Sequence, residues 1–121
     1  MTSLKNLRFY ESKYPNGRVE EKHSTLKDGR LHGPMRAYYE NGGIKEFTNY
    51  KNGCPDGISL SYNSSGELYQ KLGYKEGKFH GKCCYCSIYQ RKILEEYYIE
   101  GKFVSKEEFE KYSKISINTN K

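Results

Sequence analysis

At 121 residues, with a hydrophobic fraction of 35% and no tryptophan, the chain amounts to about one domain and is too lean in aliphatic side chains for the large core that encloses a catalytic centre. Aromatics still reach 15%, with 13 tyrosines, which suits a thin sheet with partly wet faces, because tyrosine buries a ring and keeps its hydroxyl in water. Lys and Arg number 21 against 15 Asp and Glu, a net charge of +6, and the signs are mixed along the chain, so the bias fits a solvated surface better than a dedicated polyanion tract.

The opening MTSLKNLRFY has no apolar run of the kind a secretory leader needs. No later stretch approaches the roughly 18 apolar residues of a membrane span. A cytoplasmic location is the expectation, with Cys54, Cys83, Cys84 and Cys86 as reduced thiols. Residues 1–13 read as an N-terminal segment with a first strand, and residues 14–104 as about four repeats of 24 residues. Residues 105–114 read as a capping helix and residues 115–121 as a flexible tail.

The repeat can be counted directly. Gly29, Gly53, Gly77 and Gly101 stand 24 residues apart, and Gly33, Gly57 and Gly81 follow the first three, with Ser105 at the fourth place. Gly42 and Gly66 keep the step, whereas Gly17 precedes Gly42 by 25, so the first unit carries one extra residue. Tyr50, Tyr74 and Tyr98 form one column; Tyr14, Tyr38 and Tyr62 form another that Cys86 continues. The glycines fall in turn dipeptides: Asn16-Gly17, Asp28-Gly29, Asn41-Gly42, Asn52-Gly53, Ser65-Gly66 and Glu76-Gly77. Such pairs predict hairpins with type I′ turns, which need positive φ at both central residues.

Between the turns, Ile44–Tyr50, Ile58–Tyr62 and Leu68–Tyr74 combine period-two stretches with β-branched and aromatic residues, as strands do. Ile58, Leu60 and Tyr62 share one face and Ser59 and Ser61 the other, so the first of these is expected to be the richer in apolar groups. After Gly101, Ser105-Lys-Glu-Glu108 is a capping box that opens a short helix with Phe109 and Tyr112 on one side. The fold class predicted is all-β: a single-layer antiparallel meander of tandem β-hairpins closed by that helix.

The unit Tyr39-Glu-Asn-Gly42, Ile44-Lys-Glu-Phe47, Tyr50-Lys-Asn-Gly53, Gly57 and Tyr62 resembles the variant MORN repeat of bacterial and viral proteins. The next unit, Tyr62 through Gly66, Leu68 and Tyr74-Lys-Glu-Gly77-Lys-Phe-His-Gly81, repeats it, and Leu31-His32-Gly33 supplies the same His-Gly pair earlier. The fourth unit, Tyr89 to Phe103, departs from the pattern, with Gln90 and Arg91 where a turn glycine is expected. The resemblance covers residues 14–104 and implies a scaffold that binds a protein partner, in the cytoplasm of a bacterial or virus-infected host cell. An antitoxin-like or inhibitory role is one form of this, since some bacterial members of that family are described as antitoxins.

Motifs that could carry chemistry are weak. Cys83 and Cys86 have zinc-like spacing, but side chains three apart on a strand diverge, while Cys84 and Cys86 share a face. Gly77-Lys-Phe-His-Gly81-Lys82-Cys83 lacks the length and the hydroxyl residue of a phosphate loop. His32 and His80 recur at one repeat position, which points to turn support rather than catalysis, and His23 is solitary. Asp28 and Asp56 lie in turns, and neither Glu95-Glu96 nor Glu107-Glu108 converges as acid–base work requires. No catalytic residue, metal or cofactor is expected. The candidate partner-binding residues are Tyr38, Tyr39, Tyr50, Tyr62, Tyr74 and Tyr98, because tyrosine gives contact area at low entropic cost. The alternative reading is a basic surface for anionic phospholipid or nucleic acid, and open sheet edges leave room for a homodimer.

Overall fold

The computed structural model describes residues 6–87 and 91–119, with side chains up to residue 115. The strands are β1 (Arg8–Lys13), β2 (Val19–Thr25), β3 (Gly33–Tyr38), β4 (Ile44–Lys51), β5 (Cys54–Tyr62), β6 (Leu68–Lys75), β7 (Lys78–Phe79), β8 (Gly81–Ser87), β9 (Lys92–Ile99) and β10 (Lys102–Val104). All pair antiparallel in chain order within one open sheet, and β7 and β8 both lie against β6. This is the all-β meander the glycine register predicts. Helix α1 (Lys106–Thr119) closes the chain.

Two kinds of turn alternate along the sheet. Asn52-Gly53, Glu76-Gly77 and Glu100-Gly101 hold both residues at positive φ, as type I′ requires. At Asn16-Gly17, Asp28-Gly29, Asn41-Gly42 and Ser65-Gly66 only the glycine does, so the uniform type I′ expectation is corrected there. These are wider loops: the N–H of Tyr14, Leu26, Tyr39 and Asn63 meets the carbonyl four residues on, and the glycine N–H returns to the first carbonyl. Asn16, Asp28 and Asn41 each accept the N–H two residues ahead through a side-chain oxygen, which ties the local backbone into the wider loop.

The extra residue of the first unit lies in the loop Leu26–Arg30, since that turn is wide where its later counterparts are tight. Ahead of this loop the repeat step is therefore 25, and Tyr14 corresponds to Tyr39 rather than to Tyr38. The hydrogen bonds agree. Tyr14 donates its hydroxyl to the Tyr38 carbonyl and Tyr39 to the Tyr62 carbonyl, while Asn16 and Asn41 reach Glu40 and Ser64.

A second ladder ties the tight turns together. Gly53, Gly77 and Gly101 donate to the carbonyls of Leu31, Pro55 and Phe79. The N–H groups of Asn52, Glu76 and Glu100 donate to His32 Nδ1, Asp56 Oδ1 and His80 Nδ1 at 3.1, 2.9 and 3.0 Å. The recurring histidines support turns, and Asp56 is the third member of their column. Each hairpin is marginal alone, so these contacts to the next one carry the architecture.

The helix opens as its sequence predicts: Glu108 donates its N–H to Ser105 Oγ at 3.1 Å. It runs past the expected 105–114 into the expected tail, to Thr119, because neither glycine nor proline follows Gly101. Asn120 and Lys121, the rest of that tail, lie outside the described residues.

Candidate interaction surface

Pairing register sorts the side chains into two faces, because successive residues of a strand point to opposite sides. One row crosses the sheet as Glu11, Lys22, Arg36, Phe47, Leu60, Lys71, Cys84 and Glu95. Lys82 and Tyr97 extend this basic face. Its cations are exposed. Lys22 pairs with Glu11 at 3.6 Å, Lys82 with Glu95 at 2.8 Å, and Arg36 lies 5.2 Å from the centre of the Phe47 ring. Charges that alternate along the chain are thus gathered by face.

The opposite face is built on tyrosine. Tyr50, Tyr74 and Tyr98 stand across from Gly33, Gly57 and Gly81, so each ring faces a residue with no side chain of its own. Phe79 and Phe103 complete the ladder: ring centres are 5.2 Å apart for Tyr74–Phe79, 5.1 Å for Phe79–Tyr98 and 5.6 Å for Tyr98–Phe103. Beside the rings lie short buried side chains, Thr48 at 4%, Ser59 at 9% and Cys83 at 0% exposure. The Thr48 and Ser59 hydroxyls bond to each other at 2.8 Å. Beyond them come Glu21, Ala37, Glu46, Ser61 and Gln70. The aromatic ladder therefore lies on the Ser59–Ser61 side, a correction to the expectation drawn from Ile58, Leu60 and Tyr62. Leu60 stands between Phe47 and Lys71 instead, and Ile58 is across from Gly73.

Burial pushes the hydroxyls of Tyr50, Tyr74 and Tyr98 above their ordinary value of 10.0, with nearby Glu46 adding to the shift at Tyr50 and Glu96 at Tyr98. These rings are neutral phenols at neutral pH. The other candidate tyrosines do not join the ladder. Tyr39 is spent on its bond to the Tyr62 carbonyl, with the Lys45 ammonium 5.6 Å from its ring centre. Tyr38 lines a separate hollow of about 350 Å³ with Ser12, Tyr14, Glu21 and Lys45. Tyr62 sits at the wide-turn end, opposite Leu68. Phe79 and Phe103 belong to the surface although tyrosine counting omits them; their 24-residue separation is the signal that finds them.

Helix α1 covers the basic side: Phe109 meets Tyr97 at 5.4 Å and Tyr112 meets His80 at 5.7 Å between ring centres. The described part of the helix leaves the ladder open. On the basic side, a hollow of about 340 Å³ is lined by Leu68, Tyr69, Lys71, Cys84, Cys86 and Ile93. The four cysteines are free. Cys83 points into the tyrosine face, where burial pushes its thiol up from 9.0, and Cys84 and Cys86 line the hollow opposite. Among the described residues, no three of His, Cys, Asp and Glu gather as metal ligands.

No protein-family model, no curated protein and no solved structure matches this chain. No described helix is long and apolar enough to cross a membrane.

Proposed function

We propose that the protein is a MORN-like repeat module of the cytoplasm that binds a protein partner without catalysis, in an antitoxin-like, inhibitory or scaffolding role. The observation that carries this reading is the open aromatic ladder of Tyr50, Tyr74, Phe79, Tyr98 and Phe103, which the helix leaves uncovered by packing on the other side. A strip of rings held by cross-strand packing presents contact area with little ordering left to lose on binding. Of the six candidate tyrosines, Tyr50, Tyr74 and Tyr98 carry the proposal.

The test is affinity capture from the native host with wild type, Tyr74→Ser and Lys71→Gln. One protein enriched by wild type and Lys71→Gln but lost by Tyr74→Ser is the expected result. No enrichment over background, or equal capture by all three, overturns the reading.

The row Lys22, Arg36, Lys71 and Lys82 favours a second reading, an anionic phospholipid or nucleic acid on the basic face. It predicts binding that weakens steeply with salt and with Lys71→Gln. Self-association is supported at β1, an edge strand whose six residues are all exposed, including Phe9 at 69%. Light scattering reads it directly: a monomer mass at high concentration counts against edge pairing.

A further inference from the structure

The tyrosine face carries charge of one sign where it is half-buried. Glu21 and Glu46 occupy the same repeat position two strands apart, and Glu96 lies beside Cys83 near the far end. Their neighbours are hydroxyls and an imidazole: Glu46 accepts from Thr48, Glu96 from Tyr98, and Glu21 meets His23 at 2.8 Å. Among the described residues, none of the three pairs with a lysine or arginine. Half-buried carboxylates beside π-faces favour an incoming cation, through ion pairing and through the ring quadrupole. An independent sign of an incomplete surface stands at the ladder's first position. Thr25, which corresponds to Tyr50 across the 25-residue step, is 6% exposed, and its Oγ1 has no hydrogen-bond partner among the described residues.

The spacing narrows the occupant further. Equivalent rings recur every second strand, about 9.6 Å at the roughly 4.8 Å separation of paired strands. A polyproline II segment returns to the same side every third residue, about 9.3 Å at roughly 3.1 Å per residue. A chain laid across the strands therefore keeps step with the repeat.

We propose that this face receives an extended, arginine- or lysine-bearing segment of a protein partner, with basic residues at every third position directed to Glu21, Glu46 and Glu96 and its spine on the rings of Tyr50, Tyr74 and Tyr98. This rests on the interaction reading above and names the chemistry of the partner.

The probe is a fluorescein-labelled (Arg-Pro-Pro)4 peptide, read by fluorescence polarisation at low and moderate salt, with (Glu-Pro-Pro)4 and a single-stranded oligothymidylate as comparisons. The Glu21→Gln/Glu46→Gln/Glu96→Gln protein should bind the basic peptide at least tenfold more weakly. Lys22→Gln/Lys71→Gln on the opposite face should leave its binding unchanged. Circular dichroism checks that each variant is folded, and single Glu46→Gln, expected to lose about threefold, stands in if the triple variant is not. Absence of basic-peptide binding at low salt overturns the proposal. So does equal binding of the acidic peptide, or oligothymidylate binding that depends on the three glutamates. Should the captured host partner be lost with Tyr74→Ser and retained by the Glu→Gln protein, the interaction reading stands and the cationic occupant falls.

Discussion

The two faces of this sheet are made from the same strands and do opposite things. The tyrosine face hides short side chains such as Thr48, Ser59 and Cys83 between rings and carboxylates, whereas the basic face keeps Lys22, Arg36, Lys71 and Lys82 in water. A single layer has no second sheet to bury a core against. The lesson is that the repeat makes half a core on one side and leaves solubility to the other, so substitutions one residue apart should differ sharply.

The position that breaks this contrast is Gly73, which alternation assigns to the tolerant basic side. A Cβ there would stand 2.2 Å from the His80 carbonyl oxygen, where β6 passes the break between β7 and β8. In the earlier units the corresponding Ser24 and Asn49 bond their side chains to the matching carbonyls of His32 and Asp56. The third unit replaces that bond by close backbone approach. Gly73→Ala is expected to cost about 2–3 kcal/mol in urea denaturation; a loss near zero would mean the strands can part there freely.

Neighbouring cysteines sharpen the contrast. Cys83→Ala should cost about 1–2 kcal/mol and Cys84→Ala less than about 0.5 kcal/mol. A thiol reagent should label Cys54, Cys84 and Cys86 well before Cys83, which is fully buried and whose thiol is pushed up by that burial. Equal labelling rates would refute the assignment of faces.

The turn ladder offers a smaller effect that ignores faces. Asp56→Ala leaves the Glu76 N–H without its acceptor and should lower stability by about 1 kcal/mol, with Asp56→Asn recovering most of it. Alkali probes the tyrosine face together with Tyr97 and Lys82 on the other side, whose hydrogen bonds to Glu95 also raise their values. Tyr50, Tyr74 and Tyr98 have folded values raised above 10.0, and Cys83 above 9.0. Their contribution is complete below those unfolded values. It is lost as the pH rises through 9 and 10 and then through the folded values, because the unfolded chain releases its protons first. A melting temperature that is flat across this window contradicts the burial. Smallest of all, Lys71→Gln should stay within about 0.5 kcal/mol.

Much of the fold was legible in the glycines. Their spacing located the hairpins, Ser105 marked the start of the helix, and the recurrence of His32 and His80 pointed to turn support. The ladder of Tyr50, Tyr74 and Tyr98 was visible as a column. Its partners Phe79 and Phe103 were visible too, but counting tyrosines passes over them and instead includes Tyr38, Tyr39 and Tyr62, which lie at the other end of the strands. The type of each turn was less readable, since the same Asn-Gly pair serves a tight turn at Asn52 and a wide loop at Asn16 and Asn41.

The sequence by itself determined the repeat, the antiparallel meander and the helix start, because these depend on local backbone preference: positive φ at the turn glycines, alternation along strands and a hydroxyl cap. Only the tertiary structure decided which side chains meet. Glu20, Lys45 and Tyr69 are each left unpaired as the register slips by one, and the extra residue in the Leu26–Arg30 loop displaces the first unit against the rest. With a period of two, a slip of one residue exchanges the faces. Whether mixed charges along the chain become a basic side and a tyrosine side is therefore fixed by cross-strand pairing, which no local stretch of sequence contains.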